Sequence, residues 1–525
     1  MLKRKPWCWL ILLALFTSSA LAEDVTFIEK GPDQITDEPI TLKVFASVKP
    51  NIEDMATNLQ TLWYEEATGV HIEWEVPSSA DLSTKLNLSL ASGDYPDMYW
   101  GVSLTPTQTQ MYAEQGILIP INDYLEEYAP DYLRALEEYP EIMQTVADPD
   151  GNVYSFARVD AGLHVRTSNK MFVYEPWLDA LGMEIPETTE EFKQLLIAIR
   201  DNDLNGNGEA DEIPLMGSTA NSIISYLMGA FEVQSGTQKL NVKDGQVYAS
   251  YMTEAYREGL RYIKSLYDEG LIARDTFVQD GTQLKAIVSR ADEMLVGCAP
   301  GMYELSFADL NGLPTALTDF VAIPPLEGPD GTRLTAYSPM QVAGNAYITS
   351  SCEHPEIAVA WNNYWYTAEG MLVNMLGYDG VIYEWVDEPS IDGRTPSYRM
   401  TTTIEGMQNI WWYGSGPRLQ TPELRYGQTG RETDLEYQLY TESLKYMDYF
   451  PDEYLPTTIW FTTDQANELS MLESTITSYV DEMATKFITG DRDIETDWES
   501  YLSELNAMQV DRVVEIYQEI YDSMH

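Results

Sequence analysis

The chain has 525 residues, 44% of them hydrophobic, and a formal charge of −53 from 84 acidic and 31 basic side chains. That length implies two or more domains with ample core. A field of that sign repels phosphate backbones and anionic lipid, which argues against nucleic-acid and membrane-surface binding.

The first residues read as an export signal. Lys3, Arg4 and Lys5 form a basic start, Trp7 to Phe16 an apolar run, and Ala20-Leu21-Ala22 a small-x-small cleavage site. The run is shorter than the roughly 20 apolar residues that a membrane-spanning helix needs. Residues 1–22 are therefore read as a signal peptide of an exported, extracellular or periplasmic protein. A lipid anchor would need a cysteine just after the cleavage site, and Cys8 stands at the start of the apolar run instead, so no anchor is expected by that route. Beyond it only Cys298 and Cys352 remain, enough for one bridge in an exported protein but not for a disulfide framework.

Residues 23–35 are polar, carry Gly31-Pro32-Asp33, and read as a leader arm. The pattern then turns α/β. Residues 40–46 alternate as a half-buried strand, 52–68 follow helical spacing with Gly69 as a stop, and 70–76 alternate again. Strand, helix, strand in this order implies a parallel crossover unit. A helix is expected over 81–91, capped by Asp81 and followed by Ser92-Gly93. Further helices are expected from the capping-type start Thr188-Thr189-Glu190-Glu191 to about residue 199, then over 254–269 with Gly270 as the stop, and over 356–367, 464–483 and 498–524. No repeat or low-complexity linker separates two domains, which suits a chain that passes back and forth between lobes.

Four stretches, in this order along the chain, carry a resemblance. They are Leu90-Ala-Ser-Gly-Asp-Tyr-Pro-Asp-Met-Tyr-Trp100; Asn169-Lys-Met-Phe-Val-Tyr-Glu-Pro-Trp-Leu-Asp-Ala-Leu-Gly182; Ile348-Thr-Ser-Ser-Cys-Glu-His-Pro-Glu-Ile-Ala358; and Phe487-Ile-Thr-Gly490 with Trp498-Glu-Ser-Tyr501. Together they resemble the extracellular solute-binding proteins of carbohydrate ABC importers, with the maltose- and alginate-binding proteins as relatives. The resemblance implies a two-lobed, periplasmic-binding-protein-like (type II) α/β fold with a ligand cleft between lobes that close by a hinge. It places lobe 1 at 36–165 and 346–450, and lobe 2 at 166–345 and 451–525, with hinges near 167–170 and 345–349. It also implies a monomer that hands an oligosaccharide to membrane permease subunits and catalyses nothing.

Asp203-Leu-Asn205-Gly-Asn207-Gly-Glu-Ala-Asp211-Glu212 sets oxygen side chains at alternate positions among glycines, the donor set a hard cation with 6 to 8 oxygen ligands demands. Asp203, Asn205, Asn207, Asp211 and Glu212 are expected to donate side chains to a structural calcium ion, and Glu209 its carbonyl. The loop departs from the EF-hand pattern, where the twelfth position holds a glutamate and here holds Pro214. The resemblance to alginate-binding relatives supplies a variant closed by acids at the ninth and tenth positions. The alternative is an Asn/Gly turn after the preceding helix.

Thirteen tryptophans and 35 tyrosines suit sugar stacking. Trp100 is expected at a strand's carboxyl end, where open α/β sheets bind ligand. The family alignment adds Asp160 before the first crossing, Asn221, Tyr226 and Tyr303 in lobe 2, and Trp460 as a second platform. Asp160 reads equally as a solvated loop acid. Trp411 and Trp412 are either a further platform or a plug between lobes. An anionic glycan would need convergent arginines, for which Arg158, Arg166, Arg418 and Arg425 are available; the overall field favours a neutral sugar. The rival readings are a secreted adhesin or sensor on the same fold and a glycoside hydrolase with paired carboxylates. Carboxylate pairs arise by chance among 84 acids, and metal-protease, Ser-elbow and phosphate-loop motifs are missing from the sequence.

Overall fold

The computed structural model describes residues 31–524 apart from 237, 291–292, 337, 339, 378–381, 403–406 and 457. The signal-peptide segment 1–22 and residues 23–30 of the leader arm lie outside the described residues.

The first strand, Ile40–Ala46, pairs in parallel with Val70–Glu75 on one side and Met98–Trp100 on the other, as the strand, helix, strand pattern implies. The intervening helix Leu59–Thr68 begins later than residue 52. Asn58 caps it by accepting the N–H groups of Gln60 and Thr61, and Gly69 ends it in the left-handed region at φ 77°. A six-stranded sheet grows around this unit in the order Arg418–Gln420, Phe156–Asp160, Gln341–Ile348, Met98–Trp100, Ile40–Ala46, Val70–Glu75. Its core is dominated by rings. Tyr64, Trp74, Trp100, Trp361, Trp365 and Trp412 pack with neighbouring centroids 4.5 to 6.5 Å apart, spacings that favour edge and tilted aromatic pairs.

A second, four-stranded sheet runs Phe320–Ile323, Lys170–Tyr174, Val296–Gly301, Ile213–Leu215. Its own core takes Phe192, Leu195, Leu196 and Ile199 from the helix Thr189–Arg200, which opens with the expected capping box of Thr188 and Glu191. The helices Glu254–Asp268 and Thr463–Thr489 pack on it, the latter ending at Gly490 with φ 84°. The expected helix over 498–524 is two helices, Trp498–Ala507 and Val510–Met524, because Gln509 takes the left-handed φ of 65° and breaks the ladder.

The chain thus makes two α/β lobes, each with its own core, and crosses between them three times. The first crossing runs from Asp160 to Lys170 and holds the short helix Leu163–Arg166. The second runs from Ile323 to Gln341. The segment 345–349 therefore sits within and just beyond a lobe 1 strand rather than at a hinge. The third precedes Tyr446, whose side chain is in the second core. Cys298 lies in the lobe 2 core and Cys352 beside the lobe 1 core, and both are free thiols. Among the described residues no helix is long and apolar enough to cross a membrane.

Candidate functional site: a cleft at the lobe crossings and a cation-type loop

In lobe 2, Lys170 opens one strand and pairs in register with Gly301, which ends the neighbouring one. The strand Ile213–Leu215 runs parallel to Val296–Gly301, so the carboxyl ends of both, and the loops that follow, face the crossings. That is where open α/β sheets place ligands. A cavity of 620 Å³ opens there, lined by Pro106 of lobe 1, Ser168 and Asn169 of the first crossing, and lobe 2 residues including Ser225, Gln234, Gln238 and Tyr454. A smaller cavity of 320 Å³ shares Ser168 and Asn169 and reaches Asn221, Met302 and Ser306. Short hydroxyls, amides and rings suit a polyhydroxylated ligand. Neither cavity is lined by an Asp or Glu among the described residues, and the Lys239 ammonium is ion-paired to Asp481.

The expected site residues divide sharply. Asn221 lines the smaller cavity and donates from Nδ2 to the Ser306 carbonyl at 3.1 Å. Tyr303 is half-buried directly after Met302, which lines it. Asp160 lies 3.5 Å from Arg425 and accepts the Gly162 N–H at 3.1 Å, so it anchors the start of the first crossing. Trp460 is half-buried between the cavity-lining Ile459 and Phe461, and its indole N–H donates to the Gln144 carbonyl of lobe 1 at 2.9 Å.

The remaining aromatics are corrections. Trp100 has no exposed surface: Trp74, Trp412 and Trp361 surround it at 5.7, 5.1 and 6.3 Å, and Gly416 closes over its ring. Trp411 and Trp412 are equally buried. Trp412 donates to Thr61 Oγ1 at 2.9 Å, and Trp411 stacks on Tyr413 at 4.2 Å and donates to the Met375 carbonyl. None of the three presents a face to the cleft. Tyr226 is buried in the lobe 2 core with its hydroxyl donating to the Pro324 carbonyl at 2.7 Å, a packing role.

Sequence reasoning missed Ser168 as a lining residue, the loop around Gln234 and Gln238, and, apart from Trp460, the segment 451–461. The described residues of that last segment form no helix or strand, line the cavity with Tyr454, Leu455, Pro456, Thr458, Ile459 and Phe461, and touch lobe 1 twice, at Trp460 and where Thr458 Oγ1 lies 3.0 Å from Thr145 Oγ1. Its signal was an aromatic and apolar run without periodicity, set directly before a capped helix.

The crossings are tied by buried charge. The Lys170 ammonium donates to the carbonyls of Thr167 and Met302 at 2.6 and 2.9 Å, and burial pushes it down to about 7. Glu304 is 1% exposed with neither carboxylate oxygen hydrogen-bonded, and burial pushes it up to about 8 although Lys170 and Lys445 act in the opposite direction. Glu442 Oε2 accepts from the Ala322 N–H at 2.5 Å and from Lys445 at 2.7 Å.

The Asp203 loop closes on itself through its oxygens. Asp203 accepts the N–H groups of Gly206 and Gly208 at 2.8 and 2.9 Å, Asn205 that of Asn207 at 2.9 Å, and Asn207 that of Glu209 at 2.8 Å. Glu212 Oε1 accepts from Leu204 and Asn205 N–H at 2.5 and 2.9 Å, while Oε2 is buried with no partner. Asp211 Oδ1 takes the side-chain amides of Asn205 and Asn207 at 3.3 and 3.1 Å. Among the described residues no three acidic, His or Cys side chains converge as a metal site. The orphaned Glu212 oxygen and the neighbouring amide and carboxylate oxygens nevertheless fit an oxygen-loving cation. Glu212 is followed at once by the strand Ile213–Leu215, so the loop adjoins the amino end of a strand whose carboxyl end faces the cleft.

Two α/β lobes linked by three crossings around a polar cleft define a solute-binding receptor. Residues 41–372 match the bacterial extracellular solute-binding protein family, and the chain belongs to it. It is 27% identical over 537 aligned residues to a fructooligosaccharide ABC transporter substrate-binding protein, FusA, of Streptococcus pneumoniae, covering 98% of this chain and 96% of that one. The FusA structure in complex with kestose superposes with a TM-score of 0.71 at 25% identity, over 92% of this chain and 99% of that one. A related FusA structure is described as an EF-hand mutant. A human-milk-oligosaccharide-binding solute-binding protein from Bifidobacterium longum infantis shares the fold with a TM-score of 0.77 at 20% identity, over 93% and 99% of the two chains.

Proposed function

We propose that this protein is the receptor component of an ABC importer, that it binds an oligosaccharide in the interlobe cleft, and that it passes the sugar unchanged to membrane permease subunits. The observation that carries this is the 620 Å³ cavity at the crossings, lined by hydroxyls, amides and rings with no carboxylate among its described residues to act as acid or nucleophile. The likeness to FusA along nearly the whole chain supports an oligosaccharide as the solute class and makes fructose-containing oligosaccharides the first to try. Binding closes the lobes by rotation about the crossings, and the segment 451–461 couples the two events because it touches both cavity and lobe 1. The protein acts outside the cytoplasm as an exported monomer.

The Asp203 loop holds a structural calcium ion through Asp203, Asn205, Asn207, Asp211 and Glu212, with the Glu209 carbonyl. Bound there, the ion supplies charge compensation to four acidic side chains on one short loop. It takes no part in sugar binding, because the loop adjoins the strand end remote from the cleft.

A panel of oligosaccharides screened by thermal shift tests the reading, since only a ligand of the native state raises the melting temperature in proportion to its affinity. At least one fructose-containing or other oligosaccharide should stabilise the protein and be recovered intact. Turnover that survives repurification and disappears with a single carboxylate would make the protein an enzyme instead.

A further inference from the structure

In a chain with 84 acidic and 31 basic residues, one corner of lobe 1 gathers cations without matching acids. Arg158 and Arg418 are register partners on adjacent parallel strands, which lie about 4.8 Å apart. Lys49 joins them from the loop just past the strand Ile40–Ala46, where its backbone N–H donates to Ser415 Oγ at 3.1 Å. The approach is close enough that the Lys49 ammonium, lowered first by partial burial, is lowered further by Arg158 and Arg418. Arg418 is only 5% exposed; one guanidinium nitrogen donates to the Gly414 carbonyl, and its Nε is buried with no partner. The side chains of Lys49 and Arg158 make no hydrogen bond or ion pair among the described residues.

The nearby acids are already engaged. Asp160 is the carboxylate that acts on Arg418, and it is held 3.5 Å from Arg425, which also pairs with Glu436 at 2.8 Å. Like charges brought together and partly desolvated oppose folding unless an anion joins them. The anion has two sources: an acidic side chain of lobe 2 brought over by closure, or the ligand. Among the described residues that line the two cavities at the crossings there is no Asp or Glu, which favours the ligand as the source. None of the three lines either cavity among the described residues, but Lys49 follows the carboxyl end of its strand and Arg158 lies just before Asp160, where the chain leaves lobe 1, the side on which open α/β sheets meet ligands.

We propose that Lys49, Arg158 and Arg418 form an anion subsite on the lobe 1 wall of the cleft, and that the oligosaccharide bound there carries a carboxylate, sulfate or phosphate group. The lobe 2 wall, with its hydroxyls and amides, holds the uncharged remainder of the sugar. The three cations also solve a problem of approach, since a local positive patch in a cleft offsets the repulsion that so acidic a protein exerts on an anionic solute. The proposal rests on the oligosaccharide reading of the cleft.

Two arms separate the subsite from that reading. In the first, thermal unfolding is followed in sodium sulfate and sodium chloride at matched ionic strength, for the wild type, for the double variant Lys49→Gln/Arg158→Gln, and for the remote control Lys264→Gln, whose lysine pairs with Asp268 on an outer helix. Sulfate should stabilise the wild type and the control more than chloride does, and the double variant should lose that excess. In the second, carboxylated, sulfated and phosphorylated oligosaccharides are titrated beside their uncharged parents. An acidic sugar should bind about tenfold or more tightly than its parent, the gain expected of one charge-assisted contact, and the double variant should lose the gain. Because sulfate also stabilises folded proteins by exclusion from their surface, the difference between variants decides: a double variant that keeps the full sulfate excess, or a wild type with none, overturns the subsite. A sulfate effect combined with equal binding of acidic and neutral sugars means an adventitious ion only, and overturns the ligand assignment. No binder anywhere in the panel defeats the oligosaccharide reading, and the ligand half of the proposal falls with it.

Discussion

Glu212 offers the sharpest perturbation of the Asp203 loop. One carboxylate oxygen clamps two backbone N–H groups, those of Leu204 and Asn205, and the other is buried with no partner. Glu212→Gln keeps a carbonyl oxygen for the clamp but puts an amide N–H where the cation's ligand would be, so it separates the two roles. Glu212→Ala removes both and leaves two N–H groups unsatisfied, at about 1–3 kcal/mol each. If calcium binds the native loop and not the unfolded chain, free ion at 100 times its dissociation constant adds about 2.7 kcal/mol. At roughly 2–4 °C per kcal/mol for a cooperative unit of about 150–250 residues, chelation should lower the melting temperature of the lobe 2 transition by roughly 5–10 °C. Calorimetry of wild type and Glu212→Gln in calcium and in chelator gives the answer. The wild type should respond and the variant should melt alike in both. A wild type indifferent to calcium, or a variant that keeps the full response, refutes the reasoning. Sugar affinity measured in chelator at a temperature where the fold persists should stay within about twofold of its value in calcium; a collapse would place the ion in the ligand site.

Trp100→Ala should cost about 3–5 kcal/mol of stability, as large-to-small changes in packed cores do, and show up in denaturant midpoints; a variant of native stability with selectively lost ligand binding would restore Trp100 to the cleft. Trp460→Phe keeps the ring but removes the hydrogen bond to Gln144, worth about 1 kcal/mol, and should speed ligand dissociation about fivefold in stopped-flow traces; an unchanged dissociation rate removes the bond from the closed state. Glu304 has a carboxyl raised by burial from 4.5 to about 8, so its contribution to stability is fully present below about 4.5 and is lost as pH rises through about 8. Glu304→Gln should therefore gain stability relative to wild type between pH 5 and 8 in urea titrations; a pH-independent difference would contradict the burial argument.

The local grammar of the fold was plain in the residues. Strand alternation at 40–46, the Thr188/Glu191 capping box and the stops at Gly69 and Gly270 are short-range effects, and each stands where its chemistry puts it, whereas the helix expected over 464–483 runs on to Thr489 and stops at Gly490. The second crossing was misplaced because Gln341–Ile348 carries Gly344 in a bulge, where an added Cβ would meet the Tyr347 hydroxyl and Ser155. That strand reads as a loop until its lobe 1 neighbours are known. The aromatic assignments failed for a related reason: a tryptophan at a strand's carboxyl end is equally suited to stacking on sugar or closing a core. Trp100 closes the core because Trp74, Trp361 and Trp412, distant in sequence, arrive around it. Residues that line the cavity, such as Ser168, Gln234 and Thr458, are small and polar, and nothing local distinguishes them from ordinary loop residues.

The central claim, a sugar held between the lobes, is tested most directly by a crystal structure of the protein with the best oligosaccharide of the panel. Ligand density should fill the 620 Å³ cavity and contact Asn169, Tyr454 and at least one of Ser225, Gln234 and Gln238, with Trp460 still bonded to Gln144. Density confined to an outer surface, or a fully occupied ligand site that touches neither Asn169 nor the segment 451–461, would contradict the account.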